Sequence, residues 1–119
     1  AYELQCAICG FDGRLRGNLF GIEAAHIHFK QDNGPDVVQN GLALCALHHK
    51  AFDRGAIGLS PHLHVVVSQD LVGHEMVKEF LVRFNGQELK GPQADQFRPG
   101  PRFISWHQKN VFRGPARAA

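Results

Sequence analysis

The sequence predicts an α+β fold, with strands and one helix in the first half and a β-hairpin and helices in the second. The chain has 119 residues, of which 44% are hydrophobic and 20% are charged. That size and composition suit a globular protein with one hydrophobic core and exclude a disordered chain. No apolar run approaches the ~20 residues of a membrane-spanning helix, and no N-terminal stretch has the pattern of a signal peptide. We therefore expect a cytoplasmic protein without a membrane partner.

The first half is expected to form two strands and a helix. Polar and apolar side chains alternate over residues 25–29, and this period predicts a strand with His26 and His28 on one face. Good helix formers followed by Gly55 predict a helix, because glycine commonly stands just beyond a helix end. The predicted bounds are a loop over 13–18, a strand over 25–29, a second extended segment at 37–38 and 42–44 that is broken by a turn at Asn40-Gly41, and a helix over 46–54.

The second half is expected to add a hairpin and two helices. Apolar side chains spaced three and four residues apart predict a helix that buries Met76, Val77, Phe80, Leu81 and Phe84. Pro101 suits the first turn of a last helix, whose Phe103, Trp106 and Phe112 we place in the core. The predicted bounds are 56–59 and 62–68 for the hairpin strands and 74–84 and 102–112 for the helices, with residues 1–55 and 56–119 as two parts of the same domain.

Three cysteines and one histidine form two closely spaced pairs. Two residues separate Cys6 from Cys9, and two residues separate Cys45 from His48. Structural zinc takes four sulfur or nitrogen ligands in a tetrahedron, and two such pairs supply them. Since three cysteines cannot all pair in disulfides, a metal is the simpler explanation. We predict a structural Zn²⁺ held by these four residues, with His49 as an alternative fourth ligand.

Three further polar residues, His26, Asn40 and His49, stand around the same elements. Together with the zinc pairs they resemble the HNH endonuclease superfamily, and within it the HNH domain of McrA-like, modification-dependent restriction endonucleases. The resemblance is carried, in chain order, by EAAHI at 23–27, NGLALC at 40–45, HH at 48–49 and FDRG at 52–55. It implies a ββα-metal fold, so the predicted architecture is a zinc-stapled ββα-metal core followed by a β-hairpin and C-terminal helices.

The chemistry that this resemblance implies is phosphodiester hydrolysis. The reaction needs a base for the attacking water and positive charge at the phosphate. An imidazole titrates near neutrality, so His26 is the candidate base. His49 would bind a divalent cation, for which a hard, exchangeable ion such as Mg²⁺ or Mn²⁺ is expected. Asn40 can orient either the His26 loop or the base itself, and the implied products carry 5′-phosphate and 3′-hydroxyl ends.

One position departs from the family pattern. Many members carry Asp or His as a metal ligand directly before the base histidine, whereas this chain has Ala25 there. Asp53 lies four residues after His49, on the same helical face, and is the candidate second ligand. Glu23 could contribute instead, although strand alternation gives it the opposite face from His26. His26 itself is a further candidate ligand.

Basic residues mark candidate contacts with DNA phosphates. The net charge of +2 is too small to indicate nucleic-acid binding, but the C-terminal segment carries basic residues and no acidic ones. On charge alone, a solvated tail is the favoured interpretation of this segment. The candidate contacts are Lys50 and Arg54 near the site and Arg98, Arg102, Lys109 and Arg113 in the C-terminal segment.

The sequence therefore predicts a metal-dependent DNA endonuclease domain whose partner is double-stranded DNA. The resemblance implies the cleavage module of a modification-dependent restriction enzyme that acts on methylated or phosphorothioated DNA. It also implies an upstream DNA-recognition domain in the parent protein, and cutting of both strands would suit a homodimer. The alternatives are a non-catalytic, zinc-stabilised DNA-binding module, which Ala25 motivates, and a zinc-stabilised protein-interaction domain.

Overall fold

The computed structural model describes residues 4–90 and 98–118. Within these residues the strands are β1 (Arg14–Leu15), β2 (Asn18–Leu19), β3 (Ile22–His26), β4 (Gly41–Cys45), β5 (Ile57–Leu59) and β6 (Val65–Val67). The helices are α1 (Ala46–Asp53), α2 (Glu75–Phe80) and α3 (Pro101–Asn110), and short 3-10 helices cover Lys30–Asp32, Val38–Asn40 and Val82–Phe84. None of these described helices has the length and apolar character of a membrane-spanning segment. The fold class is α+β, as the sequence predicts.

Strands β3 and β4 and helix α1 form the centre of the first half. The two strands pair in antiparallel register, from Ile22 opposite Cys45 to His26 opposite Gly41. Helix α1 begins directly after Cys45, whose sulfur accepts a hydrogen bond from the backbone N–H of His48 at 3.5 Å. The register therefore puts a predicted zinc ligand at one end of this sheet and the predicted base at the other.

Strand β3 is shorter than the sequence predicts because a buried amide captures the backbone beyond it. The predicted strand covers 25–29, but β3 ends at His26. The side chain of Asn40 accepts a hydrogen bond from His28 N at 2.8 Å and donates one to His28 O at 3.0 Å. These two backbone groups are therefore not available for pairing with another strand, and the chain turns away from the sheet.

Residues 13–18, predicted as a loop, contain a minimal β-hairpin. β1 pairs with β2 around the two-residue turn Arg16–Gly17. Both turn residues have positive φ angles, 52° for Arg16 and 82° for Gly17, as a type I′ turn requires. Asn-Gly is the usual signal for such a turn, and the pair Arg-Gly lacks it. The loop prediction was therefore wrong here.

Helix α1 ends where the sequence predicts. Gly55 has a φ angle of +81°, and a Cβ atom on it would lie 2.1 Å from the carbonyl oxygen of Val111. A side chain at this position would collide with the backbone that follows α3. Gly55 O also accepts a hydrogen bond from Arg113 N at 2.9 Å. The segment after α3 thus closes over the end of α1.

The helix predicted over 74–84 is broken. Helix α2 stops at Phe80, and a 3-10 turn follows it. His48 explains the break, since its Nε2 bonds to the Phe80 carbonyl oxygen at 2.7 Å and diverts that oxygen from the helix. Met76 and Phe80 are exposed, contrary to the predicted apolar face, whereas Phe84 is buried.

The second hairpin and the last helix form as predicted, with shorter bounds. β5 and β6 pair in antiparallel register, and α3 begins at Pro101. Helix α3 buries Phe103, whereas Trp106 and Phe112 are only half-buried. The hydrophobic core draws on both halves of the sequence and includes Ile27, Leu44, Phe52, Ile57, Val65, Phe103 and Ile104.

The C-terminal segment is not a solvated tail. Arg117 N donates a hydrogen bond to Val67 O at 2.8 Å, and Gln69 N donates one to Pro115 O at 3.0 Å. The hydroxyl of Ser68 donates to Arg113 O. The chain after α3 therefore lies against the end of β6, and the solvated-tail interpretation is wrong.

His107 on α3 gives the fold a defined sensitivity to acid. It is 1% exposed, its ring stacks on Phe52 with 3.7 Å between centroids, and its Nε2 donates to Phe52 O at 2.9 Å. Nδ1 is buried and has no hydrogen-bond partner within the described residues. Burial lowers the pKa of His107 from 6.5 to about 4, because the buried ring is hard to charge.

We expect the free energy of unfolding to fall as the pH is lowered from 6.5 to about 4. In this window the unfolded chain binds a proton at His107 that the folded protein does not bind, which gives a slope of about 1.4 kcal/mol per pH unit. The variant His107→Gln lacks this titration, so its pH profile should be flatter by about that slope. Urea unfolding of both proteins across the window measures the difference, and equal slopes would show that His107 is not the cause.

Candidate metal centre and active site

The four residues of the predicted zinc site lie together. The sulfur atoms of Cys6 and Cys45 are 3.5 and 3.2 Å from His48 Nδ1, and those of Cys9 and Cys45 are 4.0 Å apart. All four ligand atoms lie within 4.8 Å of one another. A tetrahedral zinc ion with zinc–sulfur bonds of about 2.3 Å needs ligand atoms about 3.8 Å apart. This Cys₃His cluster therefore fits structural zinc.

His48, not the alternative His49, is the histidine of this cluster. It is buried, and its Nε2 bonds to Phe80 O at 2.7 Å, which leaves Nδ1 turned toward the sulfur atoms. Metal-binding histidines commonly use their second ring nitrogen in this way. The ring of His49 lies outside the cluster, between two carboxylates.

The three thiols differ in acidity. Burial would raise the pKa of Cys6, but hydrogen bonds from His48 and from backbone N–H groups lower it to about 6. Burial, together with the charge of Cys6, raises the pKa of Cys9 to about 12. Burial also raises the pKa of Cys45. Closely spaced thiolates repel one another, so this pattern suits a cluster whose further ionisation accompanies the binding of a cation.

The residues predicted to act on a phosphate line one open cavity of about 470 Å³. Strand β3 contributes His26, and helix α1 contributes His49 and Asp53. The remaining walls come from Ala24, Phe29, Lys30 and Gln31. The end of the strand and the face of the helix therefore converge on a single space that is open to a large substrate.

His49 is held between two carboxylates. Its Nδ1 lies 2.7 Å from Glu23 Oε1, and its Nε2 lies 3.2 Å from Asp53 Oδ2. Burial raises the pKa of Asp53, while the charges of His49 and Lys50 oppose that rise. The helical spacing predicts the Asp53 contact. The alternation of side chains along the strand predicts that Glu23 lies on the face opposite His26. The long side chain of Glu23 nevertheless reaches the ring of His49.

His26 pairs with Asp36, a residue that no sequence motif marks. His26 Nε2 lies 2.7 Å from Asp36 Oδ1, and Lys30 Nζ lies 3.4 Å from Asp36 Oδ2. The hydrogen bond to His26 lowers the pKa of Asp36, and the Lys30 charge lowers it further. The turn-forming sequence around Asp36 is the only signal it carries, and a turn signal does not identify a partner for His26.

Asn40 holds the loop that carries Asp36. Its side chain is 0% exposed and, besides the two bonds to His28, donates from Nδ2 to Pro35 O at 2.9 Å. These contacts are all with the backbone of the loop between β3 and β4. The geometry therefore suits the first of the two predicted roles for Asn40, orientation of the loop.

The remaining predicted residues occupy different surroundings. Ala25 is 1% exposed and pairs with Leu42, so it offers no metal ligand to the cavity. Arg102 lines a separate cavity with His28 and Trp106, whose rings stack with 4.2 Å between centroids. Lys50 and Arg54 are exposed on α1 and just beyond it, and Arg98, Lys109 and Arg113 are exposed near the ends of α3.

Comparison with known proteins gives a family match and a structural neighbour. Residues 6–60 match the family model described as HNH endonuclease. A solved structure described as a modification-dependent TagI restriction endonuclease is similar to this chain, with a TM-score of 0.63 and 24% sequence identity. The similarity covers 90% of this chain and 33% of that protein, so the chain spans about a third of its neighbour's length. At this identity the likeness shows a shared fold. No curated protein matches the sequence.

We expect Cys45→Ser to remove bound zinc from the purified protein, because a tetrahedral site that loses one thiolate loses much of its affinity. The melting temperature should fall with the zinc content. The matched control is His62→Ser, which changes an exposed residue outside the cluster. Atomic absorption on both variants and the wild type measures the result, and unchanged zinc stoichiometry in Cys45→Ser would refute the assignment.

Proposed function

We propose that this chain, whose residues 6–60 match the HNH endonuclease family model, hydrolyses phosphodiester bonds of double-stranded DNA as the cleavage module of a larger enzyme. The observation that carries this proposal is the cavity between β3 and α1. It joins a histidine paired with a carboxylate, His26 with Asp36, to a second histidine flanked by two carboxylates. The first pair suits a general base, and the second group suits a cation site.

His26 is the proposed base. A proton on Nε2 donated to Asp36 leaves the lone pair on Nδ1 for a water molecule. As the water attacks phosphorus, its proton passes to His26 and a new P–O bond forms. The bond from phosphorus to the 3′ oxygen breaks, and that oxygen takes a proton from solvent. The products are a 5′-phosphate and a 3′-hydroxyl.

His49 and Asp53 are the proposed ligands of the catalytic cation, Mg²⁺ or Mn²⁺. Glu23 accepts a hydrogen bond from Nδ1 of His49, so Nε2 is the nitrogen presented beside the Asp53 carboxylate. A bound divalent cation supplies positive charge for the phosphate and the leaving oxygen. Asp53 replaces in this role the ligand that Ala25 cannot provide, and Glu23 fixes the ring of His49.

Recognition of the target belongs, in this proposal, to another part of the parent protein. The structural neighbour is described as modification dependent and is about three times as long as the matched region. We propose a similar division here, with an upstream domain that selects methylated or phosphorothioated DNA and with Lys50, Arg54, Arg98, Arg102, Lys109 and Arg113 as phosphate contacts. A homodimer would place two such sites on the two strands.

A non-catalytic DNA-binding module is the second candidate function. Ala25 favours it, since the methyl group removes a metal ligand that many family members use. Under this alternative, the zinc cluster and the basic residues would bind DNA, and His26 would have no role in cleavage. A single measurement of DNA cleavage therefore distinguishes the two candidate functions.

We expect the chain to nick supercoiled plasmid in Mn²⁺ or Mg²⁺ and expect His26→Ala to lower the rate at least about 100-fold, the usual contribution of a general base. The control is His62→Ala, an exposed histidine outside the cavity. All three proteins are compared at matched zinc content. No nicking by the wild type, or nicking by wild type and His26→Ala that equals the protein-free background, would support the non-catalytic module instead.

We expect Asp36→Asn to lower the nicking rate about 10-fold by weakening the orientation of the base. The same substitution in the His26→Ala background should have no further effect, because two residues that act as a unit are not additive. Single-turnover nicking of the four proteins completes this cycle. A multiplicative loss in the double variant would show that Asp36 acts independently of His26.

A further inference from the structure

The β1–β2 ribbon, residues 14–19, is a feature that the proposed chemistry leaves unused. We call it the arginine hairpin, because it carries Arg16 in its turn and Arg14 at the start of its first strand. Arg14 lies opposite Leu19 and Leu15 lies opposite Asn18 in its register. Leu15, which stands between the two arginines in the sequence, is 69% exposed. Because successive side chains of a strand alternate in direction, Leu15 lies on the face opposite Arg14. The hairpin thus presents two cations and one apolar side chain to solvent.

The base of the arginine hairpin is braced by two aromatic rings. Phe11 and Phe20 meet edge to face with 5.7 Å between centroids. Phe20 N donates to Gly13 O at 3.1 Å, and a Cβ atom on Gly13 would lie 2.5 Å from the ring of Phe11. Both phenylalanines are largely exposed. The two rings therefore hold the hairpin in place and contribute little to the hydrophobic core.

The two arginines are free to meet an anion. Within residues 4–90 and 98–118, neither Arg14 nor Arg16 forms an ion pair, and the Arg14 guanidinium donates only to the carbonyl oxygen of Asp12, at 3.1 Å. Arg16 also adopts a left-handed conformation that favours Asn or Gly. The fold itself therefore gains nothing from arginine at this turn.

The arginine hairpin is mounted on the elements that carry the cavity. Gly21 O, at its base, accepts a hydrogen bond from Ala46 N, the first residue of α1, at 3.1 Å. Glu23, which holds His49, follows two residues later on β3. From Ile22 to His26 the strand rises about 13 Å, so a single short strand joins the base of the hairpin to His26.

We propose that Arg14 and Arg16 bind phosphates of the DNA duplex outside the cavity that takes the scissile bond. This inference rests on the proposed DNA substrate. Guanidinium groups pair with phosphate oxygens in bidentate fashion. The base of the hairpin is hydrogen-bonded to the first residue of α1, the helix that carries His49. The arginine hairpin would thus help to anchor the duplex without reading its sequence.

The test is DNA binding by Arg14→Ala/Arg16→Ala in the His26→Ala background, which prevents cleavage during the measurement. The matched control, Lys78→Ala/Arg83→Ala, removes two positive charges from exposed residues on and just beyond α2. Fluorescence anisotropy with labelled 20-base-pair duplexes of two unrelated sequences is recorded over a series of NaCl concentrations. Zinc content and circular dichroism confirm that the proteins are equally folded.

We expect the hairpin variant to bind both duplexes at least 10-fold more weakly at 100 mM salt, and its log–log salt slope to fall by about 1.8, or 0.9 for each lost phosphate contact. The control should stay within about twofold of its parent. Arg16→Gly should weaken binding while its melting temperature stays at or above that of the parent, because glycine accepts the left-handed turn. This variant separates a DNA contact from a folding defect.

Two results would overturn the proposal in distinguishable ways. If the hairpin variant and the control bind with the affinity and slope of their parent, the arginine hairpin is not a DNA contact, although the DNA substrate stands. If the His26→Ala protein with both arginines intact binds neither duplex at any salt concentration, DNA is not the substrate, and the inference about the arginine hairpin is wrong as well. Loss on one duplex only would replace phosphate binding by base reading and contradict the stated role.

Discussion

The Cys₃His cluster is the constraint on which the rest of the domain depends. It joins Cys6 to His48, 42 positions later in the chain, and His48 extends the link to α2 through the Phe80 carbonyl. Closing so long a loop costs conformational entropy that a small core offsets poorly, so bound zinc would contribute folding free energy directly. Successive residues on a helix are turned by about 100°. Because His48 points into the cluster, His49 is turned toward the cavity, and one anchored helix serves both sites.

Asn40 imposes the second constraint, on the opposite end of the β3–β4 sheet. A buried amide must satisfy its donors and acceptor, and Asn40 does so on the backbone at His28 and Pro35. This bonding ends the strand at His26 and brings Asp36 back toward it. The pairing of His26, the proposed base, with Asp36 is thus a consequence of how one amide forms its hydrogen bonds. The cluster fixes the helix and Asn40 fixes the loop, and the cavity lies between them.

Local spacing made part of this site predictable from the sequence. Cysteine and histidine pairs two residues apart, and a carboxylate one helical turn after His49, need only the geometry of a turn or a helix. Glu23 and Asp36 could not be found in this way, because their contacts depend on long-range pairing. The same limit explains the failed helix over 74–84: its periodicity is real, but the bond from His48 to Phe80 breaks it. Where a predicted strand or helix ended early, a hydrogen bond from a side chain distant in sequence had taken the backbone group that the regular element needed.

The proposed contacts divide the work of the parent enzyme. A cation at His49 would meet the scissile phosphate, and Arg14 and Arg16 would meet others outside the cavity. Contacts of this kind position a duplex but carry no sequence information, and salt weakens them steeply. A cleavage module that contacts only phosphates would not become more selective for its target by binding DNA more tightly. Tethered to a recognition domain, it would meet its target at the high effective concentration that a linker provides. Weak backbone binding in the cleavage module then lets the recognition event, and not the chemistry, decide where the DNA is cut.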